Sequence, residues 1–154
     1  YIAEQGTEST GFEAEIVGQP VDGWNISAGY SQHEAENANG MLVNTDTPDK
    51  LFKLFTTYQF VELLPELTIG GGANWQGDVY STGMNPATLE TETFTQDAYW
   101  LVNLMARYKL SDNMSLQLNV ANLFDEKYYS QAGFAYGYRY GTPRDYTLSF
   151  NYKF

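Results

Sequence analysis

The chain has 154 residues, enough for one ordinary domain, and no cysteine, which excludes a disulfide framework and a thiolate metal site. Nineteen acids against eight Lys and Arg leave a net charge of −11, too few cations in total to build a phosphate-neutralising patch, so a nucleic-acid partner is not expected. Aromatics make up 16%, with thirteen Tyr, and there are fourteen Gly, a composition that suits a membrane barrel or a secreted β-protein.

No run of about 18 apolar residues exists, so no membrane-spanning helix is expected. Mean hydropathy of −0.41 does not argue against a barrel, whose strands face lipid only with alternate residues. The opening Tyr1-Ile-Ala-Glu-Gln-Gly-Thr-Glu8 has neither the basic start nor the apolar core of a signal peptide, and no initiator Met. The chain is therefore expected to be processed, or a piece of something longer.

In chain order, a first strand is predicted over residues 10–19, with Phe12, Ala14 and Ile16 on one face and Glu13 and Glu15 on the other. Residues 19–23, with Pro20 and Asp22-Gly23, carry turn chemistry. A second strand over 24–34 aligns Trp24, Ile26, Ala28 and Tyr30. Residues 35–49 lose the pattern and read as a long polar loop. The third strand, 50–60, aligns Phe52, Leu54, Thr56, Tyr58 and Phe60, and a short connection with Pro65 follows.

A fourth strand is predicted over 67–80, with Leu67, Ile69, Gly71, Ala73 and Trp75 on one face. Its Gly70, Gly71 and Gly72 mark a close backbone approach or a bend. Residues 81–96 read as a second long polar loop. The fifth strand, 98–110, aligns Trp100, Val102, Leu104, Ala106 and Tyr108. After the minimal turn Ser111-Asp112-Asn113, a sixth strand starts at Met114 with Leu116, Leu118 and Val120. Residues 130–142 form a third loop, rich in Gly and Tyr. The last strand aligns Tyr146, Leu148, Phe150, Tyr152 and Phe154, with Thr147, Ser149, Asn151 and Lys153 opposite.

Any one of these strands could line an ordinary sandwich. The connections decide between the two, because they run short, long, short, long, short, long. Outer-membrane barrels have short turns at one rim and long loops at the other, and a soluble sandwich has no reason to segregate them. On the apolar face, Trp24, Tyr58, Phe60, Tyr108, Tyr152 and Phe154 fall at the short-turn end, and Phe52, Trp75 and Trp100 near the long loops. Aliphatic residues lie between, as expected of two aromatic girdles bounding a hydrocarbon band. The fold expected is all-β, an antiparallel transmembrane β-barrel in the outer membrane. So polar an opposite face fits a large, wet or plugged barrel. Seven strands cannot close, since single-chain bacterial barrels have even numbers and at least eight. Residues 1–154 are thus expected to be the carboxyl-terminal segment of a larger barrel.

Asn119-Val-Ala-Asn-Leu-Phe-Asp-Glu-Lys-Tyr-Tyr129, the Gly141-Thr-Pro-Arg144 element opening the last strand, and terminal Phe154 resemble the carboxyl-terminal region of TonB-dependent outer-membrane receptors. Tyr99-Trp-Leu-Val-Asn-Leu-Met-Ala-Arg-Tyr108 and Gly70-Gly-Gly-Ala-Asn-Trp-Gln76 resemble the ferric-siderophore branch. The resemblance implies a 22-stranded barrel plugged by an amino-terminal domain, which binds a ferric siderophore at its outer mouth and imports it with TonB-supplied energy. The plug, the earlier strands and the TonB-contacting segment are absent, so no residue here is assigned a TonB contact. Cobalamin or a glycan as cargo, and a passive porin-type barrel, remain the alternatives. No covalent cofactor is implied; the Fe(III)-siderophore is cargo. The other implied partners are outer-membrane lipid and lipopolysaccharide, and the barrel assembly machinery through Phe154, for a monomeric protein.

Large polar ferric chelates are gripped by aromatic faces and a few cations in a concave mouth. The candidate ligand contacts are Tyr136, Tyr138, Arg139 and Tyr140 in the third loop, then Tyr80 and Tyr99 near the upper rim. These tyrosines could instead pack on one another and on the plug. Asn122 and Asp125 are expected to bond backbone groups where the sixth strand leaves its ladder, and Arg144 and Asp145 to be structural partners. His33, the only histidine, lies near Glu34 and Glu36 and is expected to be solvated, since a metal site needs several converging ligands. Asp46, Asp49, Glu90, Glu92 and Asp97 could bridge lipopolysaccharide through divalent cations, or simply be solvated. No nucleophile, base and orienting group come together in the sequence, and no enzymatic activity is expected.

Overall fold

Seven stretches with a period of two give seven long strands, and two short hairpins are added to the loops. The computed structural model describes residues 6–85, 87–131 and 137–154. The elements are β1 (Glu8–Val21), β2 (Trp24–Glu36), β3 (Lys50–Phe60), β4 (Leu64–Gln76), β5 (Val79–Met84), β6 (Thr91–Gln96), β7 (Tyr99–Ser111), β8 (Met114–Ala121), β9 (Tyr129–Gln131), β10 (Arg139–Tyr140) and β11 (Asp145–Tyr152). One seven-stranded antiparallel sheet runs in the order β1-β2-β3-β4-β7-β8-β11, each strand beside its chain neighbour, and β5-β6 and β9-β10 form two small separate ladders.

Three expectations need correction. The fourth strand ends at Gln76 rather than at residue 80, because Gly77 and Asp78 break it. Tyr80 instead belongs to the hairpin β5-β6, which occupies most of the expected second loop. That hairpin is built from a Thr-rich stretch, Thr91, Thr93 and Thr95, whose β-branched side chains favour strand even where they are polar. The third loop likewise contains the short ladder β9-β10. In addition β4 starts three residues earlier than expected, at Leu64, with Pro65 next to a register shift where its missing donor is tolerated.

The short connections are tight. Asp22-Gly23 joins β1 to β2 with Gly23 at φ +81°, a conformation glycine adopts without strain. Asp112-Asn113 joins β7 to β8. All long connections lie at the opposite rim, as expected from the sequence.

Register carries the apolar alternation across every strand. Tyr30, Phe52, Trp75 and Trp100 stand opposite one another on β2, β3, β4 and β7. Below them Ala28, Leu54, Ala73 and Val102 form the next row. Further along, Leu67, Tyr108, Leu116 and Phe150 line up across β4, β7, β8 and β11. Because directly paired residues share a face, the apolar residues form one continuous surface. The other face carries Glu15, Lys53, Asn74, Asn103, Arg107, Gln117 and Asn119, again in register.

This sheet has almost no core of its own. Among the described residues the only buried hydrophobic side chains are Val79 and Tyr99, and both belong to the loop end. On the apolar face Ile16 is 67% exposed, Leu148 70% and Phe150 59%. So large an exposed apolar face is unstable in water and requires an apolar solvent. The aromatics delimit that solvent. Trp75 packs on Trp100 at 6.3 Å and Phe52 on Trp100 at 5.8 Å at one end, whereas Tyr58 meets Phe60 at 5.1 Å and Tyr152 meets Phe154 at 5.3 Å at the other. Phe52 to Phe60, Trp100 to Tyr108 and Tyr146 to Phe154 span the same number of residues. Each span is about 26 Å along its strand, or about 20 Å in height at the usual barrel tilt. That is somewhat below, and of the order of, the apolar band of about 25 Å between the aromatic girdles of outer-membrane barrels.

The triple glycine is a close approach. A Cβ on Gly71 would lie 2.8 Å from the Asn103 carbonyl oxygen, and one on Gly70 would lie 2.7 Å from that of Thr56. The sheet ends on β1 and β11, which do not pair with each other. β11 pairs with β8 from Asp145 opposite Ala121 to Tyr152 opposite Met114, and its outer edge is bare.

Candidate functional site

Above the aromatic belt, the loop end is held by one buried polar residue. Asn122 follows β8, is 4% exposed, and sits at φ +48°, a left-handed backbone that Asn tolerates better than most residues. Its Nδ2 donates to the carbonyls of Glu126 (2.9 Å) and Thr142 (3.0 Å), and its Oδ1 accepts from Glu126 N–H (2.8 Å). Its own N–H donates to Oδ1 of Asn103 on β7 (2.9 Å). Asp125, at φ +57°, accepts from Arg144 N–H (2.9 Å), and the Arg144 guanidinium donates to the Leu123 carbonyl (3.2 Å). Asp145 accepts from the Thr147 hydroxyl at 3.0 Å. The segment leaving β8 is thus tied to the segment entering β11 through the side chains of Asn122, Asp125 and Arg144, which replace the ladder, whereas Asp145 bonds only within its own strand.

Tyr128 follows this knot and stacks on Tyr99 with ring centroids 4.6 Å apart and planes 30° apart. The same ring covers Gly141, where a Cβ would collide with it, while Gly141 N–H donates to the Tyr128 carbonyl at 2.8 Å. Tyr99 is therefore a buried pillar at the top of β7.

Beyond it lies a cluster of four rings, two half-buried and two exposed. Tyr129 stacks on Tyr140 at 4.8 Å and tilts against Tyr138 at 5.8 Å; Phe94 on β6 meets Tyr129 at 5.3 Å and Tyr138 at 4.9 Å. Gln96 Oε1 accepts from Tyr129 N–H at 2.9 Å, locking the hairpin β5-β6 to β9. Tyr138 is 53% exposed and Tyr140 70%, so their faces remain available. The hydrogen bond from the Tyr129 hydroxyl to that of Tyr140 (3.4 Å), together with the neighbouring phenols, raises the Tyr129 pKa above its ordinary value of 10.0. Arg139, between the two exposed rings, is itself exposed.

The hairpin β5-β6 separates two regions. Phe94 is paired with Ser81, and Tyr80 with Thr95, so Phe94 and Tyr80 point from opposite faces of the hairpin. Tyr80 lines a cleft of about 570 Å³ together with His33, Thr45, Asp49 and Asp78. The candidate residues are therefore not one group. Tyr138 and Tyr140 come together against Tyr129, Arg139 stands between them in the chain, Tyr80 lines the cleft beyond the hairpin, Tyr99 is buried against Tyr128, and Tyr136 lies outside the described residues. Phe94, Tyr128 and Tyr129 were not singled out as site residues. Phe94 sits in a polar Thr-rich stretch, and the two tyrosines were legible only as part of the motif after the sixth strand.

Two of the five candidate bridging acids are engaged locally. Asp49 pairs with Lys50 at 3.5 Å, and the Glu92 carboxylate accepts from Asn85 Nδ2 (2.9 Å) and the Thr88 hydroxyl (2.9 Å). Among the described residues no three His, Asp or Glu side chains converge on one point, and His33 has no such partners. Chemically, the cluster offers ring faces and phenol hydroxyls to a bulky polar ligand, with the exposed Arg139 next to it in the chain.

Comparison with known proteins places this arrangement. The family described as TonB dependent receptor-like, beta-barrel, matches residues 1–123. A ferric-pyoverdine BN7/BN8 receptor of Pseudomonas putida is 44% identical over 100% of this chain, which spans 18% of that receptor. The solved ferripyoverdine receptor of the outer membrane of Pseudomonas aeruginosa, bound to ferripyoverdine, superposes with a TM-score of 0.90 at 40% identity, covering 95% of this chain and 19% of that one. The ferric-catecholate import receptor of Escherichia coli K12 gives a TM-score of 0.79 at 29% identity, covering 96% of this chain and 21% of that one. The chain thus spans about a fifth of the length of the relatives it matches.

Proposed function

The chain belongs to the TonB-dependent receptor β-barrel family, and on that premise we propose that it forms part of a receptor that binds a ferric siderophore at its loop end and imports it with energy delivered through TonB. The observation that carries the reading is the match along the whole chain to ferric-pyoverdine receptors, at 44% identity for one and a TM-score of 0.90 for another. It is a wall of the outer-membrane barrel, with the apolar face in lipid. The relatives are receptors for transport rather than enzymes, and the cargo is an Fe(III) chelate rather than a bound cofactor.

In this reading residues 1–154 supply seven carboxyl-terminal strands of a 22-stranded barrel, and the plug and TonB-contacting segment lie elsewhere in the receptor. The exposed rings of Tyr138 and Tyr140 with Arg139 meet the chelate, the two rings held in place by Phe94 and Tyr129. Tyr80 contacts it from the neighbouring cleft. Lipid and lipopolysaccharide surround the wall, and Phe154 is the signal read by the barrel assembly machinery.

Tryptophan fluorescence of the complete receptor, titrated with ferric and iron-free siderophores, tests this. Saturable quenching by a ferric pyoverdine-type or catecholate chelate, weakened in Tyr138→Ala and Tyr140→Ala, is the expected result. Quenching by cobalamin or an oligosaccharide, with no response to any ferric chelate, would overturn it.

A further inference from the structure

At the opposite rim the polar face carries a second feature that the loop-end reading does not use. A hollow of about 480 Å³ is lined by Arg107 and Lys109 of β7, by Lys153 just after β11, and by Ser115, Gln117 and Asn151 among its polar groups. These are three of only eight Lys and Arg in a chain with nineteen acids, and the hollow has a single acid, Asp112. Among the described residues the one ion pair is between Lys50 and Asp49, so none of the three is paired with a carboxylate of the described residues.

The sheet register explains how they converge. Arg107 and Lys109 share a face, about 6.6 Å apart along the strand. Lys109 pairs with Ser115, which pairs in turn with Asn151, placing these three in one row across β7, β8 and β11. Lys153 N–H donates to the Asn113 carbonyl at 2.9 Å, which fixes the third cation beside the β7-β8 turn. Ser115, 6% exposed, forms the floor. One guanidinium and two ammonium groups, with the Asn151 amide beside them, face the single carboxylate of Asp112, so the lining has an excess of positive charge and of N–H donors. Clustered like charges repel, and an oxygen-rich anion relieves that repulsion while accepting several charge-assisted hydrogen bonds.

We infer that this hollow is an oxyanion site of the phosphate class, filled by a free phosphate-bearing solute that reaches the polar face at the short-turn rim. A lipid headgroup is on the wrong side, since Tyr152 and Phe154 mark the lipid face and Lys153, between them, points to the other. The inference rests on the fold and not on the siderophore reading.

The test is calorimetric titration of pyrophosphate into the complete receptor in a phosphate-free maltoside detergent at constant ionic strength. One saturable site is expected, weakened about tenfold in the Lys109→Gln/Lys153→Gln double variant, while Lys127→Gln, a loop cation outside the hollow, leaves it unchanged. Lys153→Gln alone, at an exposed position past the last strand, gives a smaller loss in the same direction should the double variant not fold. Absence of saturable binding, or equal weakening by Lys127→Gln, would overturn the inference. So would displacement of pyrophosphate by phosphatidylglycerol bicelles but not by glycerol phosphate, which would make the ligand a lipid.

Discussion

Asn122 gives the sharpest prediction, because its side chain joins the exit of β8 to the entrance of β11 from a buried position. Asn122→Ala removes three hydrogen bonds and leaves the Glu126 N–H and the Glu126 and Thr142 carbonyls without that partner in a buried place. Each net bond contributes about 1 kcal/mol, and more where a buried group is left unpaired. The left-handed backbone adds about 1 kcal/mol when Asn becomes Ala. The expected loss is therefore about 3–5 kcal/mol. Asn122→Gly removes the same bonds but relieves the backbone, so it should recover about 1 kcal/mol relative to Ala. Asn122→Asp keeps the acceptor for Glu126 N–H but turns a carboxylate toward two carbonyls, and should be no better than Ala. Urea unfolding of the complete receptor in micelles, followed by loss of the compact band in unheated gels, measures all three. An alanine variant within about 1 kcal/mol of the parent, or a glycine variant worse than alanine, would refute the reasoning.

Further outcomes follow from the same rim. Gly141→Ala pushes a methyl into the Tyr128 ring, so Tyr128 must leave its stack on Tyr99; the near-ultraviolet dichroism of the tyrosines should fall, and unchanged dichroism would show that the backbone at residue 141 shifts while the stack stays in place. The pKa of Tyr129 is raised, so its hydrogen bond to Tyr140 contributes fully below pH 10 and is lost as pH rises through the higher folded value. Tyr140→Phe should bring one phenol ionisation down toward the ordinary value in a spectrophotometric titration, whereas an unshifted curve would remove Tyr140 as the cause.

The seven long strands were legible because one physical rule wrote them. Every one buries alternate residues in lipid, so Trp100 through Tyr108 or Tyr146 through Phe154 show their period directly. The alternating connection lengths were legible for the same reason, as was the role of Asn122, whose side chain can replace backbone partners. The hairpin β5-β6 was not, because both its faces meet loop or solvent and its Thr residues carry no apolar alternation. The site was only half legible. The tyrosine-rich loop announced itself, but which rings are buried and which are free depends on contacts across the sheet order, such as Tyr99 with Tyr128 and Phe94 with Tyr138. Nor could spacing show that the hairpin places Tyr80 and Phe94 on opposite sides.

Paired arginine substitutions at Leu104 and Met105 test the central claim, that one face of this sheet lies in lipid and the other in a wet interior. Leu104 stands midway between Trp100 and Tyr108 on the apolar face and is 45% exposed. Met105 is the next residue, on the polar face beside a hollow of about 410 Å³. Leu104→Arg should cost the complete receptor about 2–4 kcal/mol when refolded into lipid, the range for a cation at the midplane of a barrel wall, and Met105→Arg no more than about 1 kcal/mol. Equal losses at the two positions, or a greater loss at Met105, would contradict the account.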